Sequence, residues 1–199
     1  MSPVLFDRRL LFVTGKGGVG RSTVAASLAV LAASMGQRTL ACELDSRGDM
    51  AALFECRAST FVPNLVEPNL WSMTMDTEAA LQEYLRLQLR VPVVGRFGPL
   101  ARMFDYVAAA APGVREILTV GKIAWEVREN HYDLVVVDAV ASGHILSQLG
   151  APAVINRLIQ SGLIRQQTQW VAELLGDAAI TGVVVVTTAE EMPISETIQ

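Results

Sequence analysis

Cysteine is scarce: Cys42 and Cys56 are the two in the chain, and they are not spaced as CxxC. A disulfide framework or a thiolate zinc site would need more ligands, so both read as reduced structural thiols. Positive charge is not in excess either. The 16 Lys and Arg against 20 Asp and Glu leave a net −4, which argues against a nucleic-acid surface built on bulk charge, and no nucleic-acid partner is expected. No apolar run approaches the roughly 20 residues that span a bilayer; the longest candidate, Val24 to Met35, is Ala-rich and interrupted by Ser27 and Ser34. No charged-then-apolar leader opens the chain, where Arg8 and Arg9 directly precede a strand-like run. The expected location is cytoplasmic, with peripheral association at a membrane as the alternative. Internal repeats, low-complexity tracts and linkers are also missing. With 51% hydrophobic and 18% charged residues, the 199 residues are expected to fold as one globular domain, 1–199.

What is present reads as alternating strands and helices. Leu10 to Thr14 is an apolar strand ending in a glycine cluster, Ser22 to Met35 a helix closed by Gly36, and Thr39 to Leu44 a second strand. That unit has the length of a βαβ crossover, which makes the two strands parallel. Trp71 to Met75 predicts a further strand, with Asp76 capping a helix over 77–89. Pro112-Gly113 opens a helix through about Asn130, and Leu134 to Val137 is β-branched and continuously apolar, as in a central strand covered on both faces. Val183 to Thr187 repeats that pattern, and Pro152 to Leu175 is helical in period with a break at Gly162. The expected fold is a doubly wound α/β sheet, mostly parallel. Pro193 to Gln199 reads as the first turn of a helix cut short, so the domain is expected to be the amino-terminal portion of something longer.

Gly15-Lys16-Gly17-Gly18-Val19-Gly20-Arg21-Ser22 has the spacing of a P-loop, with Arg21 in place of the usual lysine. Its glycines let backbone N–H groups and the positive end of the next helix face a phosphate chain, and Ser22 offers a hydroxyl to Mg²⁺. Arginine keeps the charge and can fork onto two phosphate oxygens, but is longer and planar. Lys16 directly after the first glycine makes this the deviant Walker A loop, found in ATPases that dimerise around nucleotide; a solvated loop cation is the alternative. Two strands end in aspartate, Asp45 and Asp138. In a parallel sheet both lie at the carboxyl edge, beside the P-loop. There Asp138 fits a Mg²⁺-holding carboxylate and Asp45 a residue that orients or deprotonates water; each also fits a cap for the next helix.

With these motifs the chain resembles the ArsA-type ATPases, the family of arsenite-efflux ATPases and of the eukaryotic targeting ATPases for tail-anchored membrane proteins. Beyond the P-loop, Asp45 to Phe54 stands in the place of switch I. Asp138-Ala139-Val140-Ala141-Ser142-Gly143-His144 is similar to the family's DTAPTGH switch II, and Thr187 to Thr197 to its PEExPxxET element. Asp76 to Leu89 and Ala111 to Ile123 resemble the bacterial anion-transporting subgroup. The resemblance implies ATP and Mg²⁺ as cofactors, with nucleotide contacts from Gly15, Lys16, Gly17, Gly18, Val19, Gly20, Arg21, Ser22 and Thr23. It implies Lys16 acting across a dimer, Ser22 and Asp138 on Mg²⁺, Asp45 activating water, and Glu190 near the nucleotide or the dimer interface. It also implies adenine-contacting residues beyond Gln199.

Three departures surround that site. Arg21 replaces the lysine, Asp45-Ser46-Arg47-Gly48-Asp49 keeps only the first residue of the family's DPAHN, and Ala139 and Ala141 replace a hydroxyl residue and a proline. The leading expectation is a dimeric Mg-dependent ATPase, a homodimer or a heterodimer with a paralogue, coupling nucleotide state to a membrane transporter or membrane-protein client. Its rival is a catalytically weak nucleotide-binding subunit paired with an active paralogue. A partitioning or septum-positioning ATPase shares the deviant loop and the aspartate-tipped second strand. Val91 to Ala111, with Phe97, Met103, Phe104 and Tyr106, reads either as ordinary core or as part of a client groove.

Overall fold

The computed structural model describes residues 5–45, 48–57, 59–88, 113–159 and 161–198. Val91 to Ala111 lies outside the described residues, and the choice between core and groove for that segment with it. The described chain runs β1 (Leu10–Gly15), α1 (Arg21–Ser34), β2 (Thr39–Glu43), α2 (Asp49–Leu53), β3 (Asn64–Glu67), β4 (Leu70–Thr74), α3 (Thr77–Gln88), α4 (Val114–Arg128), β5 (Leu134–Asp138), α5 (Ser142–Leu158), α6 (Leu163–Gly176), β6 (Thr181–Val186) and α7 (Glu191–Ile198).

The strands form one sheet in the order β3-β4-β2-β5-β1-β6, in which only β3 runs antiparallel. The fold is therefore α/β with a mostly parallel sheet, as expected of a P-loop NTPase. Every residue of β1, β2 and β5 is buried, which is why these segments lack polar alternation: helices cover both faces. Along β1, Leu11 and Val13 pack on one side against the alanine stripe of α1, Ala25, Ala29 and Ala32. Leu10 and Phe12 point the other way, against Ile123 and Val127 of α4. At the amino edge, Arg38 grips Asp133 through both carboxylate oxygens, with Nη2 donating at 2.7 Å and Nε at 3.2 Å. That pair lies just before the aligned starts of β2 and β5, where Thr39 meets Leu134, and the same register sets Glu43 beside Asp138 at the carboxyl edge.

Three expectations need correction. The sequence reading places no strand at Asn64–Glu67, yet β3 pairs with β4 there; its side chains are mostly exposed, so no apolar pattern marks it. Among the described residues β6 lies last in the sheet rather than between two strands, with Val183 and Val185 48% and 45% exposed. The helix expected from Pro152 begins at Ser142 instead, and Pro152 lies inside it. Buried Ile145 and Gln148 seat its earlier turns on the core, so packing extends the helix upstream of the proline. The predicted break holds: α5 ends at Leu158 and α6 starts after Gly162. Asp76 caps α3 as expected, its Oδ1 accepting the Ala79 N–H at 2.8 Å. Among the described residues no helix is long and apolar enough to cross a membrane.

Beneath α3 and α4 lies a buried ionic cluster. Lys122 Nζ is 2.6 Å from both Glu83 and Glu126, and Glu126 also meets His131 at 2.6 Å. Burial alone would lower the Lys122 pKa, but the hydrogen bonds to Glu126 and Glu83 reverse the effect and raise it. Lys122→Ala leaves the Glu126 carboxylate buried with only His131 beside it. The expected loss in urea unfolding is about 2 kcal/mol, below that of a wholly buried pair because Glu83 is partly solvated. A change under about 0.5 kcal/mol would mean that solvent reaches the cluster freely.

Candidate nucleotide site

The carboxyl ends of β1, β2 and β5 converge, and the loop between β1 and α1 rises over them. Gly20, at the N-cap of α1, takes φ 90°, a left-handed conformation, and no side chain caps the helix. No acidic residue lies in the first turn, so the free N–H groups and the positive helix end are available to an anion. A Cβ on Gly17, Gly18 or Gly20 would meet nothing within 4 Å, so the loop borders open space. Gly15 is the opposite case: a Cβ there would lie 2.2 Å from the Val186 carbonyl oxygen of β6.

Asp138 closes β5 and is 5% exposed. Ser22, in the first turn of α1, lies close enough to the Asp138 carboxylate that its hydroxyl lowers the Asp138 pKa. One carboxylate oxygen, Oδ1, is buried and has no hydrogen-bond partner among the described residues. Burial pushes the Asp138 pKa up, and the negative charges of Asp49 and Asp45 add to the rise; Ser22 and the nearby Arg21 oppose it. An orphaned carboxylate oxygen beside a serine hydroxyl is a pair of hard oxygen donors, and these residues fit Mg²⁺. Among the described residues no group of three or more His, Cys, Asp or Glu is arranged to hold a metal ion. Any Mg²⁺ here would have to draw its remaining ligands from phosphate and water.

Backbone contacts tie the loops together at this edge. Thr14 donates its hydroxyl to the Val140 carbonyl at 2.9 Å, Ala139 N–H donates to Val13 at 2.9 Å, and Leu44 N–H donates to Asp138 at 3.1 Å. The segments after β2 and β5 are thereby hung from the P-loop strand and from each other. Arg21 Nη1 lies 3.4 Å from the Gly15 carbonyl oxygen, so the guanidinium folds back over its own loop. Asp45 lies half-buried in the turn after β2, at the same edge as Asp138, and Lys16 is half-buried in the loop. Ser46 and Arg47 lie outside the described residues. Neither aspartate caps the next helix: Gly48 and Ala141 hold those N-cap positions without side-chain bonds. Thr23 is exposed on α1. Glu190 is exposed just before α7, beyond the end of β6, which places it at the same sheet edge.

Sequence reasoning missed Glu43. It is the last residue of β2, 1% exposed, and sits in register between Thr74 of β4 and Asp138 of β5. Its Oε1 accepts the Asp49 N–H at 2.9 Å and its Oε2 the Thr74 hydroxyl at 3.4 Å. Burial raises its pKa, the Asp49 backbone hydrogen bond lowers it, and the charges of Asp49 and Asp138 raise it again. The available signal was a charged residue inside the otherwise apolar run Thr39 to Leu44, since fully buried acids are rare without a specific partner.

Known proteins resemble this chain over most of its length. Residues 8–171 match the family described as Anion-transporting ATPase. The ATPase BagA of Mycobacterium tuberculosis is 32% identical over 96% of this chain and 59% of its own length. The ATPase get3 of Schizosaccharomyces japonicus is 28% identical over 75% of this chain and 45% of its own. The chain thus spans about half the length of these relatives. The match across the P-loop, both aspartate-tipped strands and most of the helical layer makes this chain a member of the ArsA-type, anion-transporting ATPase family.

Proposed function

We propose that this chain is the nucleotide-binding part of a dimeric, Mg-dependent ATPase that couples its nucleotide state to a membrane transporter or membrane-protein client. The observation that carries the reading is the buried Oδ1 of Asp138, without a partner among the described residues, on a carboxylate near the Ser22 hydroxyl, at the sheet edge with an uncapped helix end and an open glycine loop. Gly15 to Thr23 would wrap the phosphates with backbone N–H groups, and Arg21 would swing from the Gly15 carbonyl onto phosphate oxygens. Ser22 and Asp138 would hold Mg²⁺, which when bound neutralises developing phosphate charge. Asp45, at the same edge, would orient the attacking water and accept its proton. Lys16 would reach the phosphates of the partner subunit, supplying positive charge in trans, with Glu190 near the nucleotide or the interface. The family description, Anion-transporting ATPase, and relatives named as ATPases support an ATPase with a transport role for the whole protein.

A second reading, a nucleotide-sensing subunit with little turnover of its own, is favoured by Arg21, which lies over its own loop. Steady-state Mg-ATP turnover across a range of protein concentrations, beside Arg21→Lys, separates the two. The ATPase reading expects a rate per chain that rises as the protein dimerises, with Arg21→Lys within about tenfold of wild type. Nucleotide binding without turnover in wild type, and turnover gained by Arg21→Lys, would establish the sensing subunit instead.

A further inference from the structure

We propose that Glu43 is a positioning residue of this site, holding the turn that carries Asp45 against the sheet edge through its hydrogen bond from the Asp49 backbone. The inference rests on the ATPase reading for its kinetic consequence and on geometry alone for its structural one. Hydrogen bonds of described residues hold the chain on both sides of Asp45. Before it, Leu44 N–H donates to the Asp138 carbonyl at 3.1 Å; after it, Asp49 N–H donates to Glu43 Oε1 at 2.9 Å. Asp45 lies between them. Gly48, the N-cap of α2, has φ 78° and no side chain to offer, so the Glu43 carboxylate takes over the capping task from the strand below.

Packing does not require a charge here. Glu43 is flanked by Thr74 and Asp138 in register, next to a second buried carboxylate that repels it. A leucine would fill the volume without the cost of burying an acid. The carboxylate does what an apolar side chain cannot. Its Oε2 is bound by Thr74 of β4 while its Oε1 holds the head of α2, so the turn is referenced to β4, β2 and β5 together. An Asp45 released from that frame would sample positions away from the attacking water. Misplacement by about 1 Å lowers rates by up to about 100-fold without weakening substrate binding.

The test compares wild type, Glu43→Ala and Glu43→Gln, whose amide oxygen can still accept the Asp49 N–H. For each, Mg-ATP turnover, affinity for a fluorescent ATP analogue, thermal midpoint and amide hydrogen exchange of peptides covering 44–53 with Mg-ATP bound are measured. Glu43→Ala is expected to lower kcat about 10- to 100-fold with KM and analogue affinity within about threefold, and to lose exchange protection over 44–53 alone; Glu43→Gln should recover both to within about threefold. An alanine variant with unchanged kcat and unchanged protection overturns the proposal, as does a glutamine variant as impaired as alanine. If wild type binds the analogue but does not hydrolyse ATP, the ATPase reading fails by itself. The exchange comparison then still decides whether Glu43 holds the turn, because it needs no turnover.

Discussion

Asp138→Asn is expected to lower Mg-ATP turnover by about 100-fold or more, while the folded protein in metal-free buffer stays as stable as wild type or gains slightly. The two halves share a cause. Asp138 is a carboxylate removed from water, with Oδ1 lacking any partner, and the fold tolerates its charge rather than gaining from it. Burial raises its pKa above the unfolded value, so the protonated acid is the form the fold prefers. Its contribution to stability is therefore fully present below the unfolded pKa and is lost as pH rises through the folded one. Asparagine keeps the shape and removes the charge. Thermal melts in chelator should show wild type gaining stability on acidification through the carboxylate range relative to Asp138→Asn. Mg-ADP should then stabilise wild type much more than the variant. A variant that retained turnover within about threefold would remove Asp138 from the metal shell.

Gly15→Ala is expected to be the most destabilising single substitution in the loop, by about 3 kcal/mol or more. Two costs coincide. The new Cβ would lie 2.2 Å from the Val186 carbonyl oxygen and 3.1 Å from Val19 Cγ2, and Gly15 has φ 153°, a value side chains rarely adopt. Backbone on an adjacent strand cannot rotate away as a side chain could, so β1 and β6 would have to part where they pair, Gly15 against Val186. Gly17→Ala is the control. A Cβ there meets nothing within 4 Å, and its stability should stay within about 0.5 kcal/mol of wild type. Urea unfolding of the two variants checks the contrast; equal stabilities would mean that the loop moves as a unit away from β6.

Elements recorded in neighbouring residues are legible in the amino-acid sequence alone. Gly15 to Ser22 is contiguous, so spacing by itself defines the phosphate loop. β1 and β5 announce themselves because strands covered on both faces must be apolar throughout. Asp76 is read correctly as a cap because a capping side chain acts on residues only three positions away. The edges of the sheet are not legible in this way. β3 exposes most of its side chains and carries no pattern, whereas β6 reads like a core strand and lies last in the sheet among the described residues. Exposure of a strand depends on which strands come to lie beside it, and that is settled by crossovers distant in the chain.

The site divides in the same way. The residue types, a glycine loop with a serine and two strand-ending aspartates, are stated by the sequence, because local backbone conformation and hydrophobic runs are encoded within a few residues. What the tertiary structure decided is which of them meet. Parallel register brings Glu43 and Asp138 side by side from positions far apart in the chain, and α1 brings Ser22 near the Asp138 carboxylate, whose Oδ1 finds no partner among the described residues. A buried polar atom without a partner is a property of everything that surrounds it. No stretch of sequence contains those surroundings until the sheet has assembled.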